Sequence, residues 1–151
     1  TNMIREISML RFVAALFLFF APAAPALAQH TDEEGIRAAV FDYFNGQTVG
    51  SAEHLNRAFV ADNATMVGLM RAQDGTETLR TWRDMNEVIT NWSANPNPAA
   101  PARDGEILDM HITDGRIATV IFRSTTQFYD ALTLMKIDGQ WRIVAKAFIR
   151  Q

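Results

Sequence analysis

The chain has 151 residues, with 14 Lys and Arg, 17 Asp and Glu, no Cys and a formal net charge of −3. That length suits one domain with a core able to hold without cross-links. The slightly acidic balance argues against a nucleic-acid binder, which needs clustered Lys and Arg, and the absence of cysteine excludes disulfide frameworks and thiol nucleophiles.

Arg5 and Arg11 precede an apolar run, Phe12 to Phe20, and a small, Pro-interrupted stretch then ends in Ala26-Leu27-Ala28. This is the pattern of a secretory signal peptide over 1–28, too short to span a bilayer, with cleavage expected after Ala28. It predicts a periplasmic or secreted single domain over 29–151, without stable membrane insertion. Thr31-Asp32-Glu33-Glu34 reads as a capping box, and Ile36, Ala39, Val40, Tyr43 and Phe44 recur at helical spacing until Asn45-Gly46, where the helix is expected to stop. A second helix starts at Ser51 and carries Leu55, Ala58 and Phe59. A third follows Asp84, with Met85, Val88, Ile89 and Trp92 on one face. Ser93 to Arg103 contains Pro96, Pro98 and Pro101 and reads as a long loop.

Asp74-Gly75, Asp114-Gly115 and Asp138-Gly139 each separate runs rich in β-branched and aromatic residues, the signature of tight hairpins. Strands are predicted near 64–72, 77–83, 105–113, 116–124, 127–137 and 140–150, the last four as a meander. Two-residue turns at the last two Asp-Gly pairs would align 128 with 149 through 137 with 140. One face then holds Phe128, Asp130, Leu132, Leu134 and Lys136 beside Trp141, Ile143, Ala145, Ala147 and Ile149. The same count aligns Leu108, Met110 and Ile112 with Ile117, Thr119 and Ile121 on that face. The helices are expected to cover it. The opposite face is expected to show Val120, Phe122, Tyr129, Met135, Val144 and Phe148 among Asp109, His111, Arg142 and Lys146, and so to form a homodimer interface.

The order of elements, the segment Phe59-Val60-Ala61-Asp62-Asn63-Ala64-Thr65, and the run Asp130 to Lys146 with its Lys-Ile-Asp-Gly-Gln-Trp-Arg-Ile centre together resemble the nuclear transport factor 2-like superfamily. Within it they are most similar to the lumazine-binding-like group, related to SnoaL-like and ketosteroid isomerase-like proteins. The resemblance covers essentially all of 29–151. It implies an α+β, cystatin-like fold: a cone-shaped, curved, mixed or antiparallel sheet wrapped by three helices around a pocket, commonly dimeric. It implies no single reaction, since the superfamily holds isomerases, cyclases, dehydratases and binding modules.

Asp130 is the acid expected in the middle of the covered face, and Ala147 opposite it, with Ala145 diagonal, would leave a cavity. It reads either as a pocket carboxylate able to move a proton or as a structural acid anchored by Arg123, with Glu106 opposite Arg123. Tyr43 faces the sheet and reads either as core or as a hydroxyl presented to a ligand; in ketosteroid isomerases a tyrosine on this helix polarises a carbonyl. Where those enzymes carry an acidic base after the Ala-Thr of the first strand, this sequence reads Met66-Val67-Gly68. Trp82 and Trp92 can line a pocket mouth or simply fill the core. Asp109 and His111 share one strand face without a third ligand at any useful spacing, so no metal is expected, and no cofactor motif occurs. The favoured expectation is a pocket for a small apolar or aromatic molecule contacted by Tyr43, Trp82, Trp92, Arg123, Asp130 and Ala147. The alternative is a cofactor-independent lyase or isomerase with Asp130 and Tyr43 as its catalytic pair.

Overall fold

A computed structural model describes residues 24–97, 104–124 and 128–150, with side chains described from residue 31 onward. The elements run α1 (Ala24–Val49), α2 (Ala52–Ala58), β1 (Thr65–Arg71), β2 (Glu77–Trp82), α3 (Met85–Ala94), β3 (Gly105–Thr113), β4 (Ile117–Ser124), β5 (Phe128–Ile137) and β6 (Gln140–Arg150). The expected signal peptide lies mostly outside the described residues, as do the second half of the Pro-rich loop and the turn through Thr125 and Thr126. No helix among the described residues is long and apolar enough to cross a membrane.

Caps set most helix ends. Ser51 accepts from the His54 amide at the start of α2, and Asp84 accepts from the Asn86 and Glu87 amides at 3.0 and 3.2 Å, so α3 begins where its capping residue stands. α1 departs from expectation at both ends. It begins before Thr31, so no helix start falls there, and it continues through Asn45-Gly46 to Val49. The stop is Gly50, at φ +70°, with the Ser51 amide bonded back to the Gly46 carbonyl at 2.9 Å. That is a Schellman closure, which requires a left-handed residue and therefore favours glycine.

The six strands form one open sheet in the order β2-β1-β6-β5-β4-β3. All neighbours are antiparallel except β1 and β6, which are parallel. The Asp138-Gly139 turn is the expected two-residue hairpin, both residues having positive φ. The turn at Asp114 is one residue longer, pairing Thr113 with Ile117. That extra residue reverses the expected faces of β4: Ala118, Val120, Phe122 and Ser124 are buried, while Ile117, Thr119 and Ile121 point outward.

A second slip lies in β6. Leu134 pairs with Ile143 but Thr133 pairs with Ala145, leaving Val144 as a β-bulge. Beyond it, every side chain of β6 is turned over relative to strict alternation. Lys146 and Phe148 therefore face the helices, and Ala147 and Ile149 face away. A further register shift falls between Ile107 and Asp109. Such bulges bend strands and help curve the sheet around the helices.

The core fills the space between α1, α2, α3 and the inner sheet face. Ile36, Val40, Leu55, Phe59, Met85, Phe122, Leu132, Leu134 and Ile143 are all fully buried there, each contributing about 1.5–3 kcal/mol of transfer free energy. Asp32 is a polar clamp at the edge of this core. It accepts from Lys136 Nζ at 2.7 Å and Trp141 Nε1 at 3.0 Å, tying the N-terminal half of α1 to the last hairpin. Those two hydrogen bonds, Lys136 first, hold its carboxyl below the usual carboxylate range.

A lowered native pKa stabilises the fold above the unfolded value near pH 4 and ceases to do so as the pH falls through the native value. Asp32→Asn should therefore lower stability at pH 7 by about 1–2 kcal/mol and flatten the loss of stability below about pH 4. Urea unfolding from pH 2 to 7 measures both; parallel pH curves for the two proteins would contradict the clamp.

Candidate functional site

Asp130 sits on β5 opposite Phe148 of β6, on the inner face. Its two oxygens are taken by two different elements. Tyr43 of α1 donates its hydroxyl to Oδ2 at 2.8 Å, and Lys146 of β6 donates from Nζ to Oδ1. The pair is deeply buried, with the Lys146 side chain 4% and the Asp130 side chain 1% exposed. Aromatic rings enclose the ammonium: Nζ lies 5.1 Å from the Tyr43 ring centroid and 4.7 Å from that of Phe148. An isolated ion in such surroundings costs several kcal/mol, so the acid and the base require each other.

Lys146 and Tyr43 form part of the wall of a cleft of about 750 Å³ between α3, the end of α1 and the inner face of β1, β2 and β6. One wall is aromatic. Phe148 contacts Trp82 at 5.7 Å between ring centroids and Phe128 edge-on at 5.6 Å. Trp82 in turn carries the Arg80 guanidinium 4.6 Å from its ring centroid. Gly68 makes this wall possible: a Cβ there would stand 2.3 Å from Phe148 Cζ, so only glycine lets the ring lie back against β1 and keep the cleft open. The facing wall is α3, with Glu87, Val88, Asn91, Trp92 and Asn95 at helical spacing. Trp92 closes on Tyr43 at 5.8 Å and on Phe59 at 6.1 Å, joining this wall to the core.

The six residues singled out by sequence thus divide in three. Tyr43, Trp82 and Trp92 line the cleft. Asp130 lies behind it, bound to Tyr43. Arg123 and Ala147 are on the other side of the sheet, where Arg123 pairs with Glu106 and Ala147 is exposed. Beside Arg123, first Tyr129 and then Glu106 push its pKa further up. The anchor of Asp130 is therefore Lys146, and neither Arg123 nor a void at Ala145 and Ala147 takes part in the arrangement. The cleft is also more polar than the apolar pocket expected, with Gln47, Asn91, Asn95, Asn97 and Lys146 along it.

Strict alternation along an unbroken β6 puts Lys146 on the outer face, and the bulge at Val144 reverses that. A signal was present. Ile143 and Phe148 both carry large apolar side chains five positions apart, which strict alternation cannot put on one face, and a lone buried acid demands a cation. Among the described residues, no three His, Cys, Asp or Glu side chains gather closely enough to hold a metal ion.

The family described as "Putative lumazine-binding" matches residues 31–149. No curated protein matches the chain. Among solved structures, the chain is similar to an NTF-2 like protein of unknown function from Silicibacter pomeroyi, at 22% identity and TM-score 0.65, over 82% of this chain and 98% of that one. It is similar to an NTF2-like protein of unknown function from Methylobacillus flagellatus, at 26% identity and TM-score 0.61, over 80% and 93%. A domain of unknown function with a cystatin-like fold from Nostoc punctiforme aligns at 16% identity and TM-score 0.58, over 80% and 78%. The α+β, NTF-2-like architecture expected from the sequence is thereby established, and a fold of this kind carries no activity by itself.

Removing one member of the buried pair leaves the other uncompensated. Lys146→Met should cost about 3–5 kcal/mol. The double variant Asp130→Leu/Lys146→Met should recover most of that loss, read by urea unfolding at pH 7. A loss in the double variant equal to the sum of the losses in Lys146→Met and Asp130→Leu alone would show that the pair is not coupled.

Proposed function

The chain belongs to the family described as "Putative lumazine-binding", and from that premise we propose that it binds a small planar heteroaromatic molecule of the pteridine-dione kind in the cleft. The ring lies against the wall made by Trp82, Phe128 and Phe148, and a carbonyl oxygen accepts from Lys146. One observation carries this reading above the rest: a buried ammonium, positioned by Asp130 and Tyr43, stands beside the aromatic wall of the cleft. In a site of low dielectric a charge-assisted hydrogen bond to a carbonyl is strong, and aromatic walls favour a flat ligand.

The same geometry weighs against the lyase or isomerase alternative. A general base needs an available lone pair within reach of substrate. Asp130 is held in the ion pair with Lys146 and in the bond from Tyr43, and it does not line the cleft, so it lacks that reach. Its role in this reading is to orient Lys146 and Tyr43.

Titration with lumazine, followed by quenching of tryptophan fluorescence, tests the reading. Saturable quenching is expected, weakened about 10–100-fold in Lys146→Met, with folding of the variant checked by circular dichroism. Absence of saturable quenching in the unmodified protein would overturn it.

A homodimer through the outer sheet face completes the proposal. Leu79, Ile121, Met135 and Ile149 are exposed there, and Val67, Leu69, Leu79, Ile121, Tyr129, Ala131, Ala147 and Ile149, with Asp130 and Phe148 beneath them, line a shallow, largely apolar groove of about 320 Å³. A second copy offers the same apolar row across a two-fold axis. Sedimentation velocity should show a dimer, converted to monomer by Ile121→Lys with the fold intact; a monomer at all concentrations tested would contradict the interface.

A further inference from the structure

Of the fourteen basic residues in the chain only two are lysines, Lys136 and Lys146; the other twelve are arginines. The difference is chemical. A guanidinium keeps its charge in any protein setting, whereas an amine that gives up a proton becomes a nucleophile toward a carbonyl carbon. Lys136 engages Asp32 at the edge of the core, with its side chain 33% exposed. Lys146 stands in the cleft wall with its side chain 4% exposed.

The surroundings of Lys146 Nζ are those that a nucleophilic lysine needs. It lies against the Tyr43 and Phe148 rings and in direct contact with Asp130 Oδ1. Burial disfavours both charges of such a pair, while a neutral amine beside a neutral acid carries no comparable desolvation cost. Tyr43 holds Asp130 Oδ2 at 2.8 Å, which keeps Oδ1 turned to the lysine. The carboxyl group thus reaches Nζ although it does not line the cleft, and it can take a proton from the amine and return it.

The carbonyls of a pteridine-dione are amide-like and do not condense with amines, but an aldehyde does. Nζ passes one proton to Asp130 and bonds to the aldehyde carbon; a second proton moves from nitrogen to the carbonyl oxygen, giving a carbinolamine. Asp130 then returns its proton to that hydroxyl, the C–O bond breaks and water leaves. The products are a protonated imine and the original carboxylate, with nothing oxidised or reduced. One positive charge faces Asp130 before and after, so the buried acid keeps its counter-ion throughout the exchange of ammonium for iminium.

We propose that Lys146 is a Schiff-base lysine, and that the cleft captures flat aromatic aldehydes as a reversible imine on Nζ, with Asp130 as proton carrier and counter-ion. The inference rests on the reading that a flat carbonyl compound enters beside Lys146, and it adds a covalent step at that carbonyl. The Trp82, Phe128 and Phe148 wall stacks on the ring of the aldehyde and holds its carbon toward Nζ.

The test treats the folded protein with 2-naphthaldehyde and sodium cyanoborohydride, which reduces protonated imines to stable secondary amines, and locates the label by peptide mass spectrometry. Lys146 should be labelled about tenfold faster than Lys136, the reverse of their order of exposure. In urea sufficient to unfold the chain, the two lysines should react alike. Lys146→Arg keeps the positive charge but cannot form an imine, and should lose the fast label; the site map in the unmodified protein decides the question even if that variant does not fold. Labelling that falls first on Lys136, or equally on both lysines of the folded protein, overturns the proposal, as does a preference for Lys146 that persists in urea. Quenching by lumazine without preferential labelling leaves the noncovalent reading standing and overturns the imine. Preferential labelling without quenching by lumazine upholds the imine and removes the pteridine.

Discussion

A buried lysine and a buried aspartate that cannot do without each other organise the centre of this molecule. Asp130 comes from β5 and Lys146 from β6, and Tyr43 joins them from α1. Each group would be costly alone in a core of Phe59, Phe122 and Leu132. Together they neutralise charge, satisfy both carboxylate oxygens and fix the position of helix on sheet. The constraint propagates outward: the ammonium can face the helices only if β6 slips by one residue, and the bulge at Val144 is that slip. The same slip brings Phe148 inward, and Gly68 across the parallel pairing makes room for its ring. A buried charge, a bulge and a glycine are thus three parts of one arrangement, and the cleft is what remains open beside it.

Much of the fold was legible because local rules and global fold agree. Ser51 and Asp84 stand where α2 and α3 begin, and Asp138-Gly139 forms the two-residue hairpin its composition demands. The strands fall within a residue or so of their expected bounds. What escaped was register. Asp114-Gly115 belongs to a longer turn, and Val144 adds a residue to β6; each reverses a whole strand face, although the strand itself is correctly located. Val120, Phe122, Lys146 and Phe148 therefore moved inward, and Ile121, Ala147 and Ile149 outward. The helix end at Gly50 was hidden for a related reason: Asn45-Gly46 has the composition of a stop, but the left-handed closure is four residues further on, where the chain must turn toward α3.

The candidate site shows the same division. Residues placed by helix periodicity, Tyr43 and Trp92, reach the cleft, as does Trp82 at the end of β2. Residues placed by counting along β4 and β6, Arg123 and Ala147, do not. Helix phase accumulates from several turns and tolerates a local error, whereas strand phase flips completely with one inserted residue. Tertiary pairing also decided the chemistry. Asp130, read from sequence as either a proton carrier or a rim ion pair, is instead the orienting partner of a lysine. The polar group offered to the cleft is the cation, and the function we propose from it is recognition of a flat, carbonyl-bearing molecule by stacking and charge-assisted hydrogen bonding.

The whole arrangement requires Lys146 to be inside, held by Asp130 and Tyr43. Proton-detected ¹⁵N spectroscopy of the lysine side chains tests it most directly. One ammonium resonance is expected to be protected from rapid exchange with water, shifted upfield by the Tyr43 and Phe148 rings, assigned by its loss in Lys146→Met, and displaced by Tyr43→Phe. Lysine resonances that all exchange at solvent-exposed rates, in a protein shown to be folded, would contradict it and return Lys146 to the outer face.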